Sequence, residues 1–418
     1  MNSKQNKNFL TFFLIYLTIF LLGFLTSEAF DFYNAEQKLI IIDKNVNNSK
    51  EDSLNLDKYF SVYDKIKDNY YDFGDVKKED LVEKSIVGLV SGLNDPYTEY
   101  FNPNENKNFM SSLSGDFEGI GAVLEKVDLG VKITSVVENS PAETAGIKPG
   151  DIVTDVNGTN IAKMSTTEVI ALIKGPAGKE VNLVLKRGDE TIEKQLFTKA
   201  IVIPSIAGKE IDDDIGYIGV ATFGDKTGTE FKKELEKLKN KKGIIIDLRD
   251  NGGGYLEIAV NMLENFIKRG DVIAYTKYKD GKKDTYYSRS LGDLYNGKIV
   301  VLMNGFSASA SEIFAGVMKD YQKAILVGEK TYGKGSVQQP IELKDGSMIK
   351  ITIAKWFTPK DKNIDKEGIE PDVEVKLTKE DVEKKYDRQL EEAKKVLKSY
   401  LNSTSMQLSI DNYKKDNK

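Results

Sequence analysis

A chain of 418 residues, 40% of them hydrophobic, is long enough for two or three domains with real cores, which excludes global disorder. Its 60 basic and 65 acidic residues leave a formal charge of −5, a mild and mixed balance that does not point to nucleic acid as a partner. Histidine and cysteine are both absent, so a Ser-His-Asp triad, a cysteine nucleophile, a His/Cys zinc site and any disulfide are excluded, and a covalent mechanism must take its base from Lys, Asp, Glu or Tyr.

In chain order, Lys4 and Lys7 precede an uncharged stretch, Phe9 to Ser27, whose apolar core from Phe9 to Leu25 is 17 residues long. That is the short edge of a membrane-spanning helix. Glu28 and Asp31 follow, and lysines before with acids after predict the N-terminus inside and the body of the chain outside. Ser27-Glu28-Ala29 is a small-x-small cleavage pattern, so residues 1–29 read as a membrane anchor or as a signal peptide. Either reading places the body outside the cytoplasm, held at the cell membrane or secreted.

Residues 30–53 are polar and read as a linker. Over 54–112, Leu56, Phe60, Tyr63 and Ile66, then Leu81, Ile86, Leu89 and Val90, fall at helical spacing, with a break near Gly74. LNDPYTEYF, Leu93 to Phe101, reads as a turn. Residues 113–199 read as a small β-rich module, with short strands in GAVLEKV, GVKITSVV, DIVTDVNG and VNLVLKR and a helix over Thr166 to Lys174. From 200 to 377, buried apolar runs (GIIIDL, KIVVLM, KAILVG) alternate with helical patterns, which predicts an α/β domain around a largely buried sheet. The segment 378–418 reads as one helix, Lys379 to Leu401, striped by Val382, Tyr386, Leu390, Ala393 and Leu397, with a solvated tail from Asp411.

Three segments carry chemistry. In NGFSASASEIFAGVMKD, Asn304 to Asp320, a buried strand ends, a small-residue turn follows and a helix opens, so its serines sit where unpaired N–H groups and a positive dipole could stabilise an oxyanion. Ser309-x-x-Glu312 is also a capping box, and with three serines close together the residues alone do not choose between cap and nucleophile. GEKTYGKGSVQ, Gly328 to Gln338, resembles the start of a P-loop, but Gly335 stands where a magnesium-binding hydroxyl is needed and a strand follows, so its glycines instead aim Lys334 inward. A lysine acts as base only if burial brings its pKa down from about 10.4. DLRDNGGG, Asp247 to Gly254, is a strand end followed by glycines, suited either to an oxyanion hole or to a tight turn.

These segments, with NDPYT, FEGIGA, SPAETAGIKPGDIVTDVNG and TPKDKNIDKEGIEPDVEV, resemble the carboxy-terminal processing (tail-specific) serine proteases over about residues 54 to 400. The resemblance implies an N-terminal helical segment, a PDZ module and an α/β (crotonase/Clp-like) Ser-Lys protease core with a C-terminal helix. It places the nucleophile at Ser309, the middle serine of S-A-S-A-S, and the base at Lys334 of G-K-G. It gives Gln338 the task of orienting the lysine, makes Glu312 a supporting residue, and supplies backbone oxyanion donors at Ala310 and Gly253. In the PDZ module Gly119, Ile120 and Gly121 would receive a substrate C-terminus, with peptide added along an edge strand. Lys174 stands where the family often has an arginine that couples the PDZ module to the active site, and a lysine cannot make that residue's bidentate contacts. The implied partners are proteins with apolar C-termini and a second copy in a homodimer, with no metal or other cofactor. A catalytically inactive, membrane-tethered PDZ scaffold is the alternative class.

Overall fold

The computed structural model describes residues 55–291 and 294–416. The expected anchor or signal peptide and the linker lie outside the described residues, and among the described residues no helix is long and apolar enough to cross a membrane. The chain divides into two units, Met1–Leu81 and Val82–Lys418.

In the first unit, helix α1 (Asp57–Asn69) has Asp57 in its first turn and Lys67 in its last, each favourable to the helix dipole. A 3-10 turn at Phe73–Asp75 follows, and Phe73 meets Tyr63 edge-on at 6.3 Å between ring centroids. Helix α2 (Lys78–Ser91) runs across the division.

The second unit opens with β1 (Glu99–Phe101) and α3 (Pro103–Ser114). Asn102 caps α3 through its side-chain oxygen, Glu105 reaches back to the Asn102 N–H, and Pro103 occupies the first helical position, where a missing N–H costs nothing. The β-rich module comprises β2 (Asp116–Gly119), β3 (Ala122–Val127), β4 (Gly130–Val136), α4 (Pro141–Thr144), β5 (Ile152–Val156), β6 (Thr159–Asn160), α5 (Thr166–Ile173), β7 (Glu180–Arg187), β8 (Glu190–Phe197) and β9 (Lys199–Val202). Its main sheet runs β3-β4-β5-β7-β8 with β6 on β5, so β3 is an edge strand, while β2 pairs separately with β9. Alternate residues such as Val181, Leu183 and Leu185 of β7 point into one core.

The α/β region is built from β10 (Ile206–Glu210), β11 (Ile215–Val220), α6 (Thr227–Lys237), β12 (Gly243–Asp247), α7 (Leu256–Leu263), β13 (Val272–Tyr278), β14 (Lys283–Tyr287), β15 (Lys298–Met303), α8 (Ala310–Asp320), β16 (Ile325–Gly328), β17 (Ser336–Glu342), β18 (Met348–Phe357), β19 (Val373–Glu374), α9 (Lys379–Glu383), α10 (Arg388–Leu401) and α11 (Met406–Asp416). A six-stranded sheet runs β10-β11-β12-β15-β16-β19, parallel except for the edge strand β10. Both faces are covered, which explains the unbroken apolar runs. Ile244 and Ile246 face a core shared with α6, α7 and α8, while Ile245, Val300 and Leu302 face α10 and α11. An antiparallel sheet, β1-β18-β13-β14 with β17 on β18, stands beside it.

The C-terminal region departs from expectation twice. The single helix over 379–401 is two helices, because Lys385 adopts φ 51 and the Asp387 side chain caps a new start by accepting from the Leu390 N–H. The tail is not solvated coil but helix α11, which buries Ile410 and sends the Tyr413 hydroxyl to Glu392.

Candidate active site

The strands β12, β15 and β16 are parallel neighbours, so the loops leaving their C-terminal ends converge, where open α/β sheets place their ligands. Those loops are the glycine turn, the serine turn and the lysine loop. Topology therefore joins three segments spread over about 90 residues of sequence.

The structure separates the three serines. Ser307 Oγ is buried and donates to the Leu248 carbonyl at 2.8 Å. Ser311 Oγ is buried and donates to the Asn251 carbonyl at 2.9 Å. Both hydroxyls fasten the serine turn to the glycine turn, while Ser309 is half-buried and lines a cavity of about 360 Å³. Ser309 also holds φ 54 and ψ −114 at the start of α8, a backbone region that costs of order 1–3 kcal/mol for a non-glycine residue. Its N–H donates to Glu312 Oε2 at 2.9 Å, which helps hold that geometry.

Glu312 is the centre of the site. Fully buried, its carboxylate accepts from the Ser309 N–H, the Thr331 hydroxyl at 2.6 Å, the Gly333 N–H at 2.8 Å and the Lys334 N–H at 2.9 Å. Burial pushes its pKa up, opposed by those donors, and four donors converging on two oxygens fit the charged form. The lysine loop is also held from behind. Trp356 Nε1 donates to the Lys334 carbonyl, and Lys366 N–H donates to the Gly333 carbonyl. Gly333 adopts φ 92, and a Cβ there would lie 2.9 Å from the Gly368 nitrogen.

Lys334 reaches the same cavity as Ser309. Burial lowers its pKa, the nearby Lys350 lowers it further, and Glu99, Glu312 and Asp95 oppose the shift. Its Nζ lies 5.1 Å from the centroid of the Tyr97 ring. Among the described residues it has no carboxylate ion pair and no hydrogen bond to Ser309. Gln338 lines the cavity, but its amide donates to Ser336 Oγ at 2.8 Å and Thr352 Oγ1 at 3.2 Å, with no hydrogen bond to Lys334 among the described residues.

Gly253 and Ala310 are neighbours. Gly253 has φ 105, and an added Cβ would stand 2.7 Å from the Ala308 oxygen, 2.8 Å from Ser309 Cβ and 3.0 Å from the Ala310 nitrogen. The Gly253 N–H, however, donates to Asn251 Oδ1 at 2.9 Å, so one of the two expected oxyanion donors is engaged within its own loop. Asn251 escaped the sequence reading. It is fully buried, its amide donates to the Val220 carbonyl, and its own carbonyl accepts from the Ala308 N–H as well as Ser311. An asparagine before glycines signals a turn as readily as a junction, which is why sequence did not reveal it.

In the β-rich module, Gly119 ends β2, the Ile120 side chain is buried, and Gly121 at φ 77 packs so tightly on Ser140 that a Cβ would meet it at 2.3 Å. Lys174 caps the end of α5 and donates to Asn108 Oδ1 of α3 at 2.7 Å. The next residue, Phe109, lines the cavity of Ser309 and Lys334. Among the described residues no group of His, Cys, Asp or Glu is arranged to hold a metal ion.

A β-rich module, an α/β core and a cavity lined by a serine at a strained helix start and by a half-buried lysine are features of a serine-type hydrolase. Comparison with known proteins agrees: residues 214–375 match the model of peptidase family S41, 132–187 that of the PDZ domain, and 23–105 that of the activating protease CtpB N-terminal domain. The chain is 38% identical over 332 residues to the carboxy-terminal processing protease CtpA of Bacillus subtilis, covering 79% of this chain and 70% of that protein. It is 38% identical over 333 residues to a probable CtpA-like serine protease of Staphylococcus haemolyticus, covering 78% and 66%. It thus spans about two thirds of the length of the curated relatives it matches. A solved structure of a putative S41 protease from Bacteroides fragilis shares the fold at a TM-score of 0.51 and 17% identity, covering 78% of this chain and 89% of that one. The chain belongs to the carboxy-terminal processing serine proteases of peptidase family S41, which are serine-type hydrolases carrying a PDZ domain.

Proposed function

We propose that the chain is an endopeptidase that takes the C-terminus of an exported or unfolded protein into its PDZ domain and cleaves that protein with a Ser309–Lys334 dyad. The observation that carries the reading is the shared carboxylate of Glu312, which accepts from the backbone N–H of both residues and so fixes them against each other. Neutral Lys334 Nζ takes the Ser309 hydroxyl proton as Oγ attacks the scissile carbonyl. The oxyanion is met by the Ala310 N–H and, once it swings away from Asn251, by the Gly253 N–H. Lys334 then gives the proton to the leaving amine, leaving an acyl ester on Ser309. It next takes a proton from water as that water attacks the ester carbonyl, and returns the proton to Ser309 Oγ as the C–O bond breaks and the new carboxyl end leaves. Since Ser309 and Lys334 are not hydrogen-bonded to each other and Gly253 is engaged, the described state is a resting one that substrate completes.

The edge strand β3 and the Gly119–Gly121 loop suit docking of a C-terminal peptide by strand addition. The Lys174–Asn108 bond, one residue from Phe109 in the cavity wall, is the route by which docking would reach the active site. Gln338 turns to Lys334 in the assembled state. We further propose the domain limits 54–112, 113–199, 200–377 and 378–418, a crotonase/Clp-like core, an N-terminal segment that anchors or exports the chain, and a homodimer.

The test is cleavage of an unfolded protein ending in apolar residues, followed by mass spectrometry, for the parent chain, Ser309→Ala and Lys334→Ala. The parent cuts and both variants do not. If all three bind the C-terminal peptide and none cuts, the scaffold reading replaces this one.

A further inference from the structure

The NDPYT turn, Asn94 to Thr98, is organised by Asp95. Asp95 Oδ1 accepts from the Tyr97 N–H at 3.1 Å, and Oδ2 accepts from the Thr98 hydroxyl at 2.7 Å. Thr98 Oγ1 in turn accepts from the Thr352 N–H of β18, so the turn is fixed to the sheet that walls the cavity. This presents the Tyr97 ring to Lys334, with Nζ 5.1 Å from its centroid. The Tyr97 hydroxyl also interacts with Tyr332, two residues before Lys334. Burial first, then Tyr332, pushes the phenol up to about 12, so the ring stays uncharged over the working range.

The charges facing Lys334 are otherwise committed. Lys350 is ion-paired with Glu99 and lies over the rings of Phe101 and Phe109. Glu312 is taken up by its four donors, and Asp95 by its own turn. Asp365, which also acts on Tyr97, accepts from the Gly335 N–H and pairs with Lys355. When Lys334 takes the Ser309 proton it becomes an ammonium in a half-buried cavity with no carboxylate partner of its own. An aromatic face is what such a cation needs, because the ring quadrupole attracts positive charge without competing for the proton.

Resting on the Ser309–Lys334 reading, we propose that Tyr97 is a positioning residue for the general base, its ring face holding the Lys334 ammonium that forms on proton transfer from Ser309.

The experiment is the pH profile of kcat/KM on a protein substrate for the full chain, with Tyr97→Leu, Tyr97→Phe and Lys334→Ala. Leucine keeps the apolar bulk and removes the quadrupole. The charged lysine then loses support, so the acidic limb moves down by about half to one pH unit and the plateau falls about fivefold. Phenylalanine keeps the ring and restores the limb. A tyrosine that only packed the wall would change the plateau or the melting temperature and leave the limb in place. The proposal is overturned if the Tyr97→Leu limb coincides with the parent's, or if Tyr97→Phe moves it as far as leucine does, which would assign the effect to the hydroxyl on Tyr332. Should Tyr97→Leu not fold, Tyr97→Trp reads the same quantity with opposite sign, and a limb that fails to rise overturns the proposal. Activity surviving in Lys334→Ala would instead sink the base assignment itself, whatever the Tyr97 variants do.

Discussion

Helices α5 and α8 begin with the same four-residue pattern, Ser-x-x-Glu, and their two starts do opposite things. At α5 in the PDZ domain, Ser165 has an extended backbone, φ −68 and ψ 160, and its hydroxyl accepts from the Glu168 N–H while the Glu168 carboxylate accepts from the Ser165 N–H and hydroxyl. Both residues are exposed, and those donors draw the Glu168 pKa down. At α8, Ser309 is turned to positive φ, Glu312 is fully buried, and burial pushes its pKa up. The first carboxylate serves only its own helix. The second accepts one bond from its own helix start and three from a loop some twenty residues on. A short motif thus states a local possibility, and the surrounding fold decides whether it closes only its own helix or also ties in a distant loop.

The serines mark the widest separation. Ser309→Ala is expected to lower kcat by at least about 10⁴-fold with the melting temperature held or raised. Ser165→Ala is expected to keep turnover at the active site and lower the melting temperature by about 2–4 °C, read by thermal denaturation. The glutamates come next. Glu312→Gln turns an amide NH₂ toward buried donors, for an expected loss of about 3 kcal/mol in denaturant unfolding and about a hundredfold in kcat. Glu168→Gln, at the surface, is expected to change kcat less than about twofold. Smaller again, Gly253→Ala sets a methyl against the Ala308 carbonyl at a φ of 105, and steady-state kinetics should show kcat down by about 10²-fold with KM little changed.

Much of this was legible in the sequence. The buried runs GIIIDL and KIVVLM are strands covered on both faces, and the glycines of GKG mark a loop packed against another backbone. Family resemblance, not periodicity, singled out Ser309 among three serines. The structural reason, that Ser307 and Ser311 are committed to carbonyls of the glycine turn, depends on contacts about 60 residues apart. The break at Lys385 was hidden because the apolar stripe of α9 and α10 runs in phase across it. Asn251 and the Gln338 bonds to Ser336 and Thr352 were invisible for a similar reason, since hydrogen bonds across loops leave no periodic trace.

The dyad is tested most directly by the pH dependence of Ser309 acylation by a fluorophosphonate, measured for the parent and for Lys334→Ala. Burial lowers the pKa of Lys334, so the neutral base gains population as pH rises and does so below the ordinary lysine range of about 10.4. The parent rate is expected to climb with pH to a plateau before that value, and the Lys334→Ala rate to be slow and without that limb. A Lys334→Ala variant acylated at the parent's rate with the parent's limb would contradict the dyad.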